Sequence, residues 1–485
     1  MRFRTDNGQH WLVLALLVGI PLRFVRLDQP QLWLDELLRL VRFSSPTLWG
    51  NLSDLRQDVA AAPLDYVIQG IFVDWWGLSE FSARFHAALF GCLAIPVIYW
   101  VAKKILSSTE SGICALLLAV FPLHVFYSRE GANYSLFFLL TLLSFGIFWQ
   151  ARTESRIRDW SWLFLIHAAN LYTNYFAVTV LFAQGVIVLS DLFRGGRGKQ
   201  DGDLPTRWRT VGGFAGSAIG ALLLFLPWAL WTRESTTADY PSPFSDAGLP
   251  LRVFRELSGG SYPLSLLAFI LIILGMRSLS RSGSWDTFLQ ISAWFALPAV
   301  LVFSLDAWRG YFFAIRQLLF VTPPLIFASV LGLEWCRDGI PRSRRRIGFS
   351  GALILTVLLS LGTLALSDRK EREDWKGLQV FLEKTETEGI LLAAPNIERV
   401  VLLRSPEWKE RLVNLDEVPL RLKGQPRRQV LLIDSDFVTA AQHEQMKTLL
   451  RDPSHRVSNE VEGFTVHWME SIDEDSASSR SSLGN

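Results

Sequence analysis

Apolar residues in this chain are pooled into blocks rather than spread at helix or strand period, and that pooling most constrains what it can fold into. "HWLVLALLVGIPLRF", "CLAIPVIYWVA" and "GALILTVLLSLGTLAL" are three of the blocks. A helix crossing a bilayer needs about 20 such residues. The blocks predict spans near residues 10–27, 82–102, 112–127, 134–150, 160–173, 175–193, 211–231, 263–279, 287–305, 312–335 and 347–366. The stretch 160–193 is too long for one crossing and is divided at "YTNY". The expected class is an all-α polytopic membrane protein of about eleven helices. A formal net charge of +2 over 485 residues gives no electrostatic support to a nucleic-acid partner. Cys92, Cys114 and Cys336 stand in or beside apolar blocks, at neither metal-ligand nor disulfide spacing, and read as buried thiols.

Arg2 and Arg4 precede the first block as in a secretion signal. No small-residue cleavage site follows, so a retained first span is expected. Loop charge then orients the chain, because short cytoplasmic loops collect Lys and Arg. Lys103 and Lys104, Arg152 to Arg158, Arg194 to Arg209, Arg277 and Arg281, and the run through Arg337 to Arg346 all fall in alternate gaps. Residues 28–81, 128–133, 232–262, 305–311 and everything after 367 are thereby assigned to the outer face.

Two outer segments are too large to be connectors. Residues 28–81, the first outer loop of a membrane domain spanning 1–367, hold the amphipathic pieces "LWLDELLRLVRF" and "PLDYVIQGIFVDWW". These suit helices lying in the interface, with Trp33, Trp75 and Trp76 at headgroup depth. In residues 368–470, "GILLAAP", "QVLLIDS" and "FTVHWM" read as strands, while "DWKGLQVFLEKT" and "TAAQHEQMKTLLRD" read as helices. A small soluble α/β domain is expected there, followed by a polar, Ser-rich disordered tail at 471–485.

The chemistry-bearing residues cluster at the outer edges of the predicted spans. Asp35 and Glu36 sit among Leu32, Trp33, Leu34, Leu37 and Leu38, where lost hydration favours a proton-accepting carboxylate. A surface ion pair of Asp35 with Arg39, or a capping task for Glu36, stays open beside that reading. "FPLHVFYSREGANYSLF" puts Arg129 and Glu130 in a tight turn, and "WRGYFFAIRQLLFVTPPLI" puts Arg316 about a turn inside an apolar helix. An intramembrane arginine costs about 2.5–3.5 kcal/mol on insertion scales, so it faces a partner or polar cavity, or else snorkels to the interface. Carboxylates suit removal of a proton from an acceptor, or cation binding, and arginine suits a phosphate leaving group. His86, His124 and His167 lie in or next to spans and read as packing or locally hydrogen-bonded groups.

In order and spacing, "LWLDE", "APLDYVIQGIFVDWWGLSEFSARFHAALFGCLAIPVIYW", "FPLHVFYSREGANYSL", "NLYTNYFAVTVLFAQ", "YFFAIRQLLFVTPPLIFASVLGL" and "REDWKGLQVFL" resemble the bacterial polyprenyl-phosphate-sugar-dependent membrane glycosyltransferases. That class is related to glycosyltransferase family 39, the protein O-mannosyltransferases and lipid A aminoarabinose transferases, with the GT-C fold. The resemblance implies a catalytic base at Asp35 with Glu36 beside it, and a second acid at Glu130. It also implies a substrate site drawing on Arg129, Tyr134, Arg309, Arg316, Gln317, Asp65 and Tyr66. The donor would be a polyprenyl-phosphate sugar in the bacterial inner membrane, among membrane lipids, with its site and the C-terminal domain on the periplasmic side. No cofactor is established by it; a divalent cation at Asp35, Glu130 and Asp58 is left open. The sequence departs from the family pattern at Ala61 and Ala62, where His or Glu-Lys is usual, at Ala132 in place of arginine, and at Asn174 in place of histidine. Those departures weaken a metal site more than the fold. The acceptor, whether glycan, lipid or protein, is not encoded legibly. A lipid transporter or flippase is the competing class, and an inactive relative serving as an assembly partner is a third.

Overall fold

The structure, a computed structural model, describes residues 7–29, 31–56, 61–193, 204–232, 248–309, 314–338, 345–367, 374–384, 389–392, 400–403, 408–409, 412–413, 429–434, 456–461 and 464–470. Two compact units emerge: Met1–Leu27 with Ser45–Arg369, and Asp28–Ser44 with Lys370–Asn485.

The first unit is helical. Its elements are α1 (Asn7–Phe24), α3 (Leu48–Leu55), α4 (Pro63–Trp76), α5 (Glu80–Ala102), α6 (Ser108–Val120), α7 (Pro122–Tyr127), α8 (Tyr134–Glu154), α9 (Ile157–Leu171) and α10 (Ala177–Phe193). After these come α11 (Leu204–Trp231), α12 (Leu249–Leu257), α13 (Tyr262–Arg281), α14 (Trp285–Arg309), a 3₁₀ segment (Ile315–Val321), α15 (Pro323–Asp338) and α16 (Arg345–Ser367). The starts follow from local chemistry. Ser107 Oγ accepts from Glu110 N at 3.4 Å while Glu110 Oε2 accepts from Ser107 N at 2.7 Å, a reciprocal cap for α6. Pro63 opens α4 at a position that needs no amide hydrogen.

Every predicted window contains helix, but among the described residues fewer than eleven helices are by themselves long and apolar enough to cross a bilayer. Among the described residues, six helices are long and apolar enough: Glu80–Ala102, Tyr134–Glu154, Arg207–Trp231, Tyr262–Arg281, Trp285–Leu305 and Gly348–Leu366. A seventh arises if the 3₁₀ segment and α15, bent by 58°, count as one broken span. Three further apolar helices, α1, α6 and α10, are shorter. Proline accounts for two of the differences. Pro122 divides the expected span 112–127 into α6 and α7, and Pro323 ends the 3₁₀ segment, because neither ring nitrogen can continue a hydrogen-bond ladder. The carbonyl of Phe320 that this break frees accepts from Trp294 Nε1 at 3.2 Å.

Close helix approach is set by small residues. A Cβ on Gly332 of α15 would strike the Leu271 carbonyl, and one on Gly275 of α13 would strike that of Ala328, so this pair packs backbone to backbone. On α4, Ile71, Trp75 and Trp76 are exposed, Trp75 to 70%.

The second unit joins distant pieces of chain. Here α2 (Leu34–Arg42) and α17 (Trp375–Lys384) accompany five strands: β1 (Gly389–Leu392), β2 (Leu412–Val413), β3 (Gln429–Asp434), β4 (Arg456–Val461) and β5 (Phe464–Glu470). The sheet order is β2-β1-β3-β5-β4. β1 runs parallel to β2 and β3, with Gly389 opposite Val430, whereas β5 is antiparallel to both β3 and β4. The stretch 439–452, read as a helix, and the tail 471–485 lie outside the described residues. One boundary differs from the sequence reading. Residues 28–44 group with the C-terminal segment instead of with the rest of the first outer loop. Gln31 explains the grouping: its Nε2 donates to Asp374 Oδ1 at 3.0 Å and its Oε1 accepts from Lys376 N at 3.1 Å.

Candidate functional site

In the first unit the site grows from the α6–α7 break. Pro122 starts α7, which ends at Tyr127, and the turn Ser128–Asn133 leads into α8 at Tyr134. The turn is braced from several sides. Gln69 Nε2 on α4 donates to the Gly131 carbonyl at 3.3 Å and to that of Ala83 at 2.9 Å, and Asn133 Nδ2 donates to the Thr173 carbonyl at 2.8 Å. Glu130 is consequently held at only 3% exposure.

Arg316 meets this turn from far along the chain. Its Cζ stands 5.9 Å from the centroid of the Tyr134 ring, within reach of the ring's quadrupole. Tyr134 in turn packs edge-on against Tyr127 at 5.2 Å. The Tyr127 hydroxyl lies in the electrostatic field of Glu130, Arg316, Tyr134 and Glu256 together. Arg316, Tyr134 and Tyr127 are therefore neighbours, and Glu130 and Glu256 act on the same Tyr127 hydroxyl; Tyr127 and Glu256 are two groups the sequence reading did not single out. Tyr127 stood inside the quoted motif "FPLHVFYSREGANYSL". Glu256 had no signal beyond its place in an outer segment. It pairs with Arg255, whose Nη2 donates to Glu256 Oε1 at 2.9 Å, and that carboxylate pushes the Arg255 guanidinium above the usual arginine range.

Arg316 does not sit within a continuous apolar helix as expected. It occupies the first turn of the 3₁₀ segment, whose Gln317 Oε1 accepts from Ala314 N at 3.3 Å and so braces that start. Arg129 is directed at the end of α1: Nη1 donates to the carbonyls of Leu22 at 3.0 Å and Val25 at 2.8 Å, and Nη2 to Arg26 at 3.2 Å. Asp65 and Tyr66 are buried on α4, and Asp65 Oδ2 lies 3.4 Å from His86 Nε2 on α5. Trp228 Nε1 donates to the Ala61 carbonyl at 3.1 Å, and Asn174 Oδ1 caps the next turn by accepting from Phe176 N at 2.9 Å. Arg309 is the last residue of α14. Asp58 lies outside the described residues.

Asp35 and Glu36 belong to the second unit, in the first turn of α2. Glu36 is 1% exposed and its Oε2 accepts from Trp33 N at 3.3 Å, so this carboxylate braces the start of its own helix. Asp35 is half-buried. The amphipathic face of α2 is covered, with Leu34, Leu37 and Leu40 buried. Among the described residues no group of three or more His, Cys, Asp or Glu could hold a metal ion, so the donors expected at Asp35, Glu130 and Asp58 do not form a described cation site.

Residues 60–231 match the family of dolichyl-phosphate-mannose-protein mannosyltransferases. No curated protein sequence matches the chain. Among solved structures it is similar to ArnT from Cupriavidus metallidurans bound to undecaprenyl phosphate, with a TM-score of 0.61 and 13% identity over 96% of this chain and 99% of that one. The apo state of the same protein gives a TM-score of 0.60 and 14% identity, covering 95% and 98%. The archaeal oligosaccharyltransferase AglB from Archaeoglobus fulgidus, in complex with an inhibitory peptide and a dolichol-phosphate, gives 0.52 and 12%, covering 83% and 64%. The resemblance read from the sequence agrees with these matches: segment 60–231 is similar to the mannosyltransferase family, and the chain shares the fold of ArnT along nearly its whole length.

Proposed function

We propose that the protein is a membrane glycosyltransferase that moves a sugar from a polyprenyl-phosphate donor to an acceptor at the outer, periplasmic face of a bacterial inner membrane. The observation that carries this reading is the meeting of Arg316 with Tyr134, Tyr127 and Glu130, drawn from separate stretches of chain. The matches to the mannosyltransferase family and to ArnT bound to undecaprenyl phosphate support the donor class. In the proposed reaction an acceptor hydroxyl or amine attacks the anomeric carbon and forms the new glycosidic bond. The bond from that carbon to the phosphate oxygen breaks, and polyprenyl phosphate leaves with the electron pair. Asp35 takes the acceptor proton. Arg316 carries the charge that grows on the leaving phosphate, because a guanidinium matches phosphate in both charge and geometry. Glu130 orients the acceptor. Eleven crossings and a small outer α/β domain built from α17 and the sheet complete the proposed architecture.

Purified protein in lipid nanodiscs, given labelled polyprenyl-phosphate monosaccharides and a cell-envelope extract as the acceptor source, is expected to move label covalently. Asp35→Asn is expected to slow transfer by roughly 10²- to 10⁴-fold, the usual worth of a general base. Full turnover by that variant would remove Asp35 from the base role. Flipping of the labelled donor in sealed vesicles without any covalent product would replace the enzyme by a transporter.

A further inference from the structure

Arg23 is, with Arg84, one of two arginines wholly buried among the described residues of the first unit, and the reaction above makes no use of it. It lies near the end of α1 and reaches across to the α6–α7 break. Nη1 donates to the Gly19 carbonyl of its own helix at 2.9 Å and to that of Ala119 at 3.0 Å. Nη2 donates to the Leu118 carbonyl at 3.2 Å and bonds His124 Nδ1 at 2.8 Å. A guanidinium only donates, so Nδ1 accepts and the imidazole proton is on Nε2. Ala119 is among the carbonyls a terminated helix cannot satisfy itself, and in apolar surroundings it would otherwise cost several kcal/mol, whereas the Leu118 carbonyl also accepts from Phe121 N at 3.3 Å. Ser128 Oγ continues the chain of contacts, donating to the His124 carbonyl at 2.5 Å two residues before Glu130. From α5, Gly91 leaves the needed room: a Cβ there would collide with Ser128 Oγ and stand 3.1 Å from Arg23 Nε.

We propose that Arg23 is a positioning residue: by filling the open Ala119 carbonyl of α6 and holding His124, it fixes the angle of α7 and thereby the turn that presents Tyr127 and Glu130. The inference rests on the glycosyltransferase reading for its kinetic consequence but not for its structural one. Misplacing a reactive group by about 1 Å costs up to roughly 100-fold in rate, so loss of the joint acts on kcat more than on donor binding.

The test uses full-length protein in nanodiscs, with Arg23→Gln, Arg23→Lys and, from the opposite helix, Gly91→Ala. Hydrogen exchange of residues 121–133 is read beside initial rates of polyprenyl-phosphate release with donor varied. Arg23→Gln and Gly91→Ala are expected to speed exchange in 121–133 by about tenfold while α13 keeps its protection. Their kcat falls by roughly 10- to 100-fold with donor KM within about twofold, and Arg23→Lys, keeping the charge without the fork, recovers part of both. Unchanged exchange in 121–133, an equal rise in every helix, or an unchanged kcat would overturn the proposal. Should Arg23→Gln fail to fold, Gly91→Ala carries the comparison. If wild-type protein released no polyprenyl phosphate while 121–133 still loosened, the joint would stand and the glycosyltransferase reading would fall.

Discussion

The role proposed for Arg316 depends on its being both charged and flat. Its Cζ stands 5.9 Å from the centroid of the Tyr134 ring, and a planar guanidinium can meet two phosphate oxygens along one edge. Arg316→Ala is expected to raise the donor KM by roughly 10- to 100-fold, the worth of a charge-assisted hydrogen bond of about 1.5–3 kcal/mol. Arg316→Lys retains the charge but neither the plane nor the fork, and is expected to fall between the two; donor-dependent initial rates read both. Other residues show how differently one chemistry can be used. Arg129 has the same head group but donates to three carbonyls at the end of α1, a fixture of the scaffold. Glu36 is likewise drawn into holding its own helix start, the capping task that the sequence left open for it.

Among the elements, those defined by local rules were legible and those defined by distant partners were not. The apolar windows found their helices, and "GILL", "QVLLID" and "FTVHWM" are strands, because length, apolarity and β-branched content act within a few residues. The breaks at Pro122 and Pro323 were written in the sequence as well, yet reading each block as one crossing passed over them. The burial of α2 was out of reach: its leucines look the same in sequence whether they face lipid or protein, and only the folded chain shows them buried. Arg23 was hidden for a related reason. A basic residue near the end of a greasy stretch reads as a snorkelling anchor until its carbonyl partners on another helix are seen. The α13–α15 contact gives a direct check on packing. Gly332→Ala pushes a methyl into the Leu271 carbonyl and is expected to destabilise the pair by about 1–3 kcal/mol, seen as a lower midpoint in thermal unfolding in detergent. Ala at Gly351, where a Cβ meets nothing within 4 Å, is the neutral control.

For the whole molecule, the alternation of basic loops makes a prediction that does not depend on chemistry. With Cys336 replaced by serine, Leu251→Cys on α12, where the native side chain is 61% exposed, is expected to react with an impermeant maleimide in intact spheroplasts. Ser282→Cys, exposed after α13, is expected to react only once the membrane is opened. Labelling in the opposite order would invert the orientation. The second unit adds a constraint of another kind, one of timing. Gln31 finds Asp374 across 343 residues of chain. At about 5–20 residues per second, a ribosome delivers that partner on the order of tens of seconds after the acidic segment has emerged. Until then Asp35 sits on a nascent helix with no finished mate to fold against. Biosynthesis thus keeps the proposed base out of its final setting until residue 374 has been made.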